Sequence, residues 1–315
     1  MTNMRVNGLR GVELAVFDLK ETRDFYANAW GLQTVAAADG SAYMRAASAE
    51  HHVLAIHERK RAGLAAVHFS APDRAAVDGL HAKSKAWGCE IVAAPHDLPL
   101  IAGGGYGFSV KAPEGQILTI SCDVARHACT GDFYDHSRPD KLSHVVLNSV
   151  DIQKQEAFFC DVLGFRLTDS TARMDFIRCS SYHHSIALAR AQGPGLNHMA
   201  YEVSNFDGLM RGAGRMKKHG YHIGWGVGRH GPGNNLFSYF IEPNGFVTEY
   251  TAEVDTIDEA THAVGTPDYW AKMMNGPDRF GLADPSPELR EAMHGKYVDE
   301  RNKRCEEIIA QKLAG

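Results

Sequence analysis

The chain contains two copies of one sequence pattern, and this duplication constrains its fold more than any other feature. Residues 8–35 align with residues 141–169, which places Gly31 opposite Gly164. The matches continue along both copies at a nearly constant offset of about 130 residues. Repetition on this scale is typical of duplicated architecture, so we expect two domains built on the same plan.

Each copy divides again into two units, in which a strand is followed by an amphipathic helix and then by further strands. In the second copy Asp151 is placed to cap such a helix, and Gly164 is placed to end it. The pattern predicts an α+β fold of four βαβββ units, paired into two tandem barrel-like domains. We place the domains at 1–125 and 139–253, followed by a C-terminal helical extension at 254–315.

Two further segments stand outside the repeat. Residues 123–138 form the natural linker between the copies. Ser286, followed by proline and glutamate, is a favourable helix start. The charged stretch 288–312 is then predicted to be one long helix, which we expect to pack on the barrel or on a neighbouring subunit.

Composition restricts the class of protein. The 315 residues are 44% hydrophobic and 23% charged, which is typical of a soluble globular protein. The net charge is −5 without a basic block, so nucleic acid is not an expected partner. No apolar run approaches the roughly 20 residues that span a bilayer, and the N-terminus lacks the apolar stretch of a signal peptide. Six cysteines without a CxxC pair suit reduced thiols, so we expect a cytoplasmic protein.

Three ionisable residues lie in apolar, strand-like segments of the second copy: His144, His198 and Glu249. Burying such side chains is costly unless they are paired or bind a metal. Two imidazoles and one carboxylate form the facial ligand set of Fe(II) sites that keep positions open for substrate and O2. Their spacing is too long for a zinc finger or a helical HExxH motif, so the fold must assemble the site.

The first copy provides an internal comparison for these three residues. The corresponding positions are Gly11, Ala66 and Thr119, and none of them is a strong metal ligand. A single histidine in a strand is more often a hydrogen-bonded core residue, but a random scatter of histidines would not sort all three ligands into one copy. We therefore expect the metal in the C-terminal domain and a scaffold role for the N-terminal domain. The remaining histidines of the first copy are interpreted as structural or surface residues: His51, His52, His57 and His68.

Six residues in the segment that precedes Glu249 form a recognisable spacing pattern. They are Gly228, His230, Tyr239, Glu242, Pro243 and Gly245. Together with the ligand set and the duplication, this spacing resembles the signature of type I extradiol ring-cleaving dioxygenases, which are similar to catechol 2,3-dioxygenase and belong to the vicinal oxygen chelate superfamily. The resemblance covers about 7–252. One position departs from it, because Ser238 stands where an apolar residue is usual.

The resemblance implies a metal, a substrate class and a reaction. The three ligands would hold Fe(II), although Mn(II) would fit the same set. The substrates would be a catechol-type small molecule and O2, and the ring would open beside the diol during degradation of aromatic compounds. A homo-oligomer is expected, since the C-terminal extension offers a surface for it.

The resemblance also implies roles for three further residues. His184 corresponds to the acid/base near bound O2, and a histidine suits this task at neutral pH. His230 corresponds to a histidine that hydrogen-bonds the substrate, and Tyr239 to a tyrosine that contacts a substrate oxygen. An aspartate sometimes found shortly after the substrate-binding histidine is absent, because Gly233 stands there. His183 is expected to point away from its neighbour, as alternate residues of a strand do.

Other functions remain open on the same scaffold. Glyoxalase-like isomerases, epimerases and thiol transferases use the same units but often take metal ligands from both halves of a site. The absence of ligands in the first copy argues against that arrangement. A related 2-oxo-acid dioxygenase uses the same ligand types with a different C-terminal helix. A non-catalytic ligand-binding protein of this fold is a third alternative, although such proteins are usually shorter and lack the full ligand set.

Overall fold

The computed structural model describes residues 4–38, 40–129, 137–274, 276–282 and 284–314. Of the expected linker at 123–138, residues 130–136 lie outside this description. The described chain forms two eight-stranded sheets with helices packed against them. Both sheets have the same strand order, and the predicted α+β fold with duplicated barrel-like sheets is therefore confirmed.

The first sheet has the order β2-β3-β4-β1-β5-β8-β7-β6, and the second has the order β10-β11-β12-β9-β13-β16-β15-β14. The strands of the first sheet are β1 Gly8–Val16, β2 Gln33–Ala38, β3 Ser41–Arg45, β4 Leu54–Glu58, β5 Gly63–Ser70, β6 Ile91–Asp97, β7 Tyr106–Lys111 and β8 Ile117–Cys122. Those of the second are β9 Lys141–Ser149, β10 Arg166–Ser170, β11 Met174–Arg178, β12 Ile186–Arg190, β13 Gly195–Glu202, β14 Trp225–Arg229, β15 Leu236–Ile241 and β16 Val247–Ala252.

The helices follow the repeat and then continue into the extension. They are α1 Leu19–Asp24, α2 Arg74–Ala86, α3 Ile152–Ala157, α4 Phe206–Lys218, α5 Pro267–Met273, α6 Pro287–Met293 and α7 Lys296–Ala314. Helices α1 and α3 continue as short π-helical segments. Asp151 caps α3 by accepting a hydrogen bond from the Lys154 N–H at 3.1 Å, as the sequence predicts. None of the described helices is long and apolar enough to cross a membrane.

The pairing register is the same at the centre of both sheets. In the second sheet Ala200 pairs with His144 on one side and with Glu249 on the other. In the first sheet His68 pairs in the same way with Gly11 and Thr119, the positions that the sequence alignment matched to His144 and Glu249. The alignment of the copies therefore corresponds to equivalent places in the two sheets.

A stacked aromatic pair joins the two domains. The rings of Trp30 and Tyr250 lie 3.8 Å apart and only 3° from parallel, and both are fully buried. The Tyr250 hydroxyl donates to the Trp30 carbonyl at 2.6 Å, and Arg215 donates to the Ala29 and Trp30 carbonyls at 2.9 Å each. Because successive strand residues point to opposite faces, this joint holds β16 from the side opposite to Glu249.

The prediction of one long helix over 288–312 is wrong. Helix α6 ends at Met293, and α7 begins at Lys296. Gly295 between them has a φ of +80°, a conformation that glycine adopts without the steric cost paid by other residues. The extension is therefore able to change direction and contact both domains.

The extension packs on the barrels, as expected. Leu289 of α6 is fully buried in one apolar cluster with Trp225 and Phe237 of the second sheet. Further along, the side-chain amide of Asn302 accepts from the Ala62 N–H at 2.8 Å and donates to the Ala62 carbonyl at 3.1 Å. These contacts attach α6 to the second domain and α7 to the first.

The interdomain stack generates a stability prediction. Trp30→Ala removes a fully buried ring, and we expect it to lower the free energy of unfolding by about 3–5 kcal/mol. Trp87 is 36% exposed, so Trp87→Ala provides a matched control that we expect to cost about 1 kcal/mol or less. Equilibrium urea unfolding followed by circular dichroism measures both variants. Equal losses would contradict a dominant role for the stacked joint.

Candidate metal centre

Three ionisable side chains converge on neighbouring strands of the second sheet. His144 lies on β9, His198 on β13 and Glu249 on β16, and these three strands are adjacent. One ligand atom from each lies within 4.8 Å of the others, and no other set of histidine, cysteine or acidic residues in the described ranges meets this criterion. We refer to these three residues as the ligand group.

The contacts inside the ligand group suit a cation. Glu249 Oε2 lies 3.1 Å from Nε2 of His198 and 3.3 Å from Nε2 of His144, and all three side chains are at most 6% exposed. Within the described chain, neither His198 Nε2 nor Glu249 Oε2 has a hydrogen-bond partner despite this closeness. Buried polar atoms without such partners are costly, and a metal ion would satisfy both of them. The residues present therefore fit a metal with nitrogen and oxygen ligands.

The protonation states also suit metal binding. Burial alone would raise the pKa of Glu249, but the nearby imidazoles of His144 and His198 hold it well below its ordinary value. Burial lowers the pKa of His198, although the Glu249 carboxylate opposes the shift. An ionised carboxylate and neutral imidazoles are the forms that bind a metal.

His184 lies beside the ligand group. It precedes β12, and its ring centroid is 4.2 Å from that of His144. Burial, reinforced by the other histidines nearby, lowers the pKa of His184 well below its ordinary value. The ring is therefore neutral at pH 7 and has a lone pair available for a proton.

His230 and Tyr239 form a hydrogen-bonded pair on the other side of the ligand group. His230 Nε2 lies 2.9 Å from the Tyr239 hydroxyl, and the Tyr239 ring is 5.1 Å from the His198 ring. His230 Nδ1 donates to the Pro277 carbonyl at 3.2 Å, so Nε2 accepts from the hydroxyl when the ring is neutral. Burial lowers the pKa of His230 to about 4, which favours that neutral form. The structure thus brings these two residues close to the ligand group.

The expectation that His183 points away from its neighbour is wrong. The chain around it is irregular rather than a strand, so alternation of faces does not apply. His183 Nδ1 lies 3.0 Å from His184 Nδ1, and its Nε2 lies 2.8 Å from Oδ2 of Asp169. Asp169 was not singled out from the sequence. No signal in the sequence pointed to it, because its burial on β10, where an unpaired carboxylate would be costly, is visible only in the structure.

The first sheet contains a different arrangement. Glu13 lies between His68 at 3.0 Å and His57 at 3.6 Å. Burial would raise the pKa of Glu13, but the two nearby imidazoles hold it well below its ordinary value. This trio does not meet the distance criterion that the ligand group meets, and it occupies none of the ligand-equivalent positions. Its contacts agree with the interpretation of these histidines as structural.

The chain is similar to known proteins in sequence and in fold. A family model described as "Glyoxalase/Bleomycin resistance protein/Dioxygenase superfamily" matches residues 8–118 and 141–250. Metapyrocatechase 2 of Cupriavidus necator is 38% identical over 122 residues, which are 38% of this chain and 38% of that protein. The match therefore spans less than half the length of this curated relative.

Two solved structures extend the comparison. The Mn(II)-bound glyoxalase from Novosphingobium aromaticivorans is 40% identical, has a TM-score of 0.84, and is matched over 90% of this chain and 94% of its own. Homoprotocatechuate 2,3-dioxygenase from Arthrobacter globiformis shares the fold with a TM-score of 0.81 at 20% identity, over 90% of each chain. The two segments matched by the family model coincide with the two sheets, and the chain belongs to the Glyoxalase/Bleomycin resistance protein/Dioxygenase superfamily.

Proposed function

We propose that the protein is a non-haem Fe(II)-dependent extradiol dioxygenase, which inserts both atoms of O2 into a catechol ring beside the diol. The observation that carries this proposal is the convergence of a buried ligand group with His184 on one side and the His230–Tyr239 pair on the other. The name of the Cupriavidus relative, metapyrocatechase, supports the same reaction class.

The ligand group would hold the metal by one carboxylate and two imidazoles. When bound, Fe(II) supplies adjacent open positions for a catechol and O2 and favours a deprotonated catechol oxygen. Mn(II) fits the same ligand types, and the Novosphingobium relative is an Mn(II)-bound protein. We favour Fe(II) because of the resemblance to extradiol dioxygenases.

His184 is proposed to transfer protons. Its neutral, buried ring accepts a proton from a catechol hydroxyl and later returns one to the reacting oxygen. A base next to the ligand group is needed because a catechol must lose protons before its oxygens can act as anionic ligands. The ring contact with His144 supports this role, because it keeps His184 beside the ligand group.

The His230–Tyr239 pair is proposed to orient the substrate diol. The Pro277 carbonyl holds His230 Nδ1–H, so the Nε2 side of the ring remains available for a hydroxyl. The Tyr239 hydroxyl can redirect its proton toward a substrate oxygen without moving its buried ring. Two polar groups at fixed positions would thus select one orientation of the diol.

An apolar surface beside the ligand group suits an aromatic substrate. Val146, Phe176 and Ala187 form a buried cluster that is separate from the main core. Val146 lies two residues after His144 on β9 and shares its face. Phe176 packs at 5.2 Å from the His184 ring. A flat apolar ring would be accommodated by this surface better than a small polar substrate.

A glyoxalase-like metalloisomerase is the alternative, and the similarity to the Novosphingobium glyoxalase is the observation that favours it. Against it, all three candidate ligands come from one domain, and the equivalent positions of the first sheet carry none. A binding protein without catalytic activity is a third possibility, but it would not require a base beside the ligand group.

The proposed function is tested with the full chain loaded anaerobically with Fe(II). Oxygen consumption and the appearance of a yellow product are followed over a panel of substituted catechols, with Mn(II)-loaded and metal-free protein in parallel. A hemithioacetal formed from methylglyoxal and glutathione tests the isomerase alternative. Isomerisation without ring cleavage, or tight catechol binding without turnover, would replace the dioxygenase proposal.

Removal of a metal ligand should abolish metal binding. We expect about one metal ion per chain in the loaded protein, and little or none in variants with alanine at His144, His198 or Glu249, because only two ligands would remain. Glu13→Gln, which alters a buried carboxylate between two histidines of the first sheet, is the matched control and should keep its metal. Elemental analysis after desalting measures the metal content. Retention of metal by the Glu249→Ala variant would contradict the assignment.

Loss of the proposed base should affect chemistry and not metal binding. We expect His184→Asn to lower kcat by about 10²–10⁴-fold, the usual contribution of a general acid–base, while metal content stays constant. His96→Asn changes an exposed histidine of β6 and should behave as the unaltered protein. Steady-state kinetics on the best catechol provide the measurement. Normal turnover by His184→Asn would exclude this residue as the base.

A further inference from the structure

We propose that Asp169 and His183 act as positioning residues that fix the tautomer of His184, leaving its Nε2 as the unprotonated nitrogen. The role of His184 as a base rests on the proposed function. Its tautomer is a property of the folded chain and can be measured without any reaction.

The three side chains form a continuous buried chain of hydrogen bonds. Asp169 Oδ2 lies 2.8 Å from His183 Nε2, and His183 Nδ1 lies 3.0 Å from His184 Nδ1. All three residues are at most 4% exposed, so water does not compete for these contacts.

The direction of each hydrogen bond follows from the carboxylate. Asp169 accepts a hydrogen bond from the Gly265 N–H on Oδ1 at 2.8 Å, and an ionised carboxylate accepts on Oδ2 as well. His183 must therefore donate from Nε2, which leaves a lone pair on Nδ1 of the neutral ring. The Nδ1 atoms of His183 and His184 face each other with one hydrogen between them. Because His183 Nδ1 has the lone pair, His184 Nδ1 donates that hydrogen.

The consequence for His184 is a free base at the other ring nitrogen. With its proton on Nδ1, the neutral ring has an unprotonated Nε2, and no residue of the described chain makes a hydrogen bond to that atom. A general base needs this lone pair. The opposite tautomer would present an N–H instead and could not accept a proton.

A glycine lies next to the rings of His183 and His184. Gly233 faces both rings, and a Cβ added there would lie 3.2 Å from His183 Nδ1 and 3.2 Å from His184 Cε1. Because Gly233 has a φ of +80°, a larger residue there would also strain the backbone. No side chain approaches His184 from this position. The hydrogen-bonding partner of His184 is instead His183, which is itself linked to Asp169.

The C-terminal extension holds the pair in place. The Asp255 carbonyl accepts a hydrogen bond from the backbone N–H of His183 at 2.8 Å. The backbone N–H of Gly265 donates to the Asp169 side chain. These backbone groups cannot change their donor or acceptor character. The Gly265 N–H always donates, so Asp169 Oδ1 must accept and Oδ2 is left to accept from His183, while the Asp255 carbonyl fixes the backbone of His183.

Asp169→Asn tests the proposal because it reverses the chain of hydrogen bonds. The asparagine carbonyl oxygen would accept from Gly265, so the amide nitrogen would face His183 and donate to its Nε2. His183 would then donate from Nδ1, and His184 would carry its proton on Nε2. We expect kcat on the best catechol to fall by about 10²–10⁴-fold, as expected when a base is held in the wrong tautomer, with KM and metal content unchanged.

Asp175→Asn is the matched control. Asp175 is equally buried, lies on the adjacent strand β11 and accepts from the Ser170 hydroxyl. No histidine contacts it in the described chain, so we expect a wild-type tautomer and a wild-type kcat. An equal loss in both variants would indicate a structural effect and overturn the positioning role.

Nitrogen-15 NMR of labelled histidine, in the full chain loaded with diamagnetic Zn(II), reads the tautomer directly. The His184 signals are assigned by their loss in His184→Asn. We expect a protonated Nδ1 and an unprotonated Nε2 in the unaltered protein, with the reverse in Asp169→Asn. A protonated Nε2 in the unaltered protein would refute the proposal, even if Asp169→Asn does not fold. If no catechol is turned over, the proposed function fails while this measurement still decides the tautomer.

Discussion

The buried charge of Glu249 is the constraint on which the second domain depends. A carboxylate that is fully removed from water must be compensated, and here two imidazoles lie 3.1 and 3.3 Å from one of its oxygens. The compensating groups come from two other strands, so β9, β13 and β16 must be adjacent and in a single register. A slip of one residue in β16 would turn Glu249 to the opposite face and leave the imidazoles without their partner.

The first domain contributes to this constraint although it lacks the ligands. Tyr250 follows Glu249 on β16 and points to the other face, where its ring stacks on Trp30. Arg215 donates to the carbonyls beside that stack and ties α4 to the same joint. The strand that carries the carboxylate is thus fixed from both faces. The first domain therefore supports the strand that carries Glu249.

The sequence predicted the parts of the molecule that depend on local periodicity. The alternation around His144 and the presence of Gly11 at the equivalent position of the first copy were enough to assign the candidate ligands to one domain, and the strand registers agree. His183 was misplaced because its segment has no periodicity, so its direction depends on distant contacts with Asp169 and the extension. The break at Gly295 was missed because the charge pattern on both sides is continuous.

The C-terminal extension contacts the surroundings of the ligand group through its backbone. It contacts residues around the ligand group through backbone groups. The Pro277 carbonyl accepts from His230 Nδ1, the Asp255 carbonyl accepts from the backbone N–H of His183, and the Gly265 N–H donates to the Asp169 carboxylate. A backbone carbonyl always accepts and an N–H always donates, so the Pro277 carbonyl keeps a proton on His230 Nδ1 and the Gly265 N–H keeps Asp169 Oδ1 as an acceptor, whichever side chains the extension carries. The extension therefore supports the candidate site, and its removal would free the groups that its backbone now contacts.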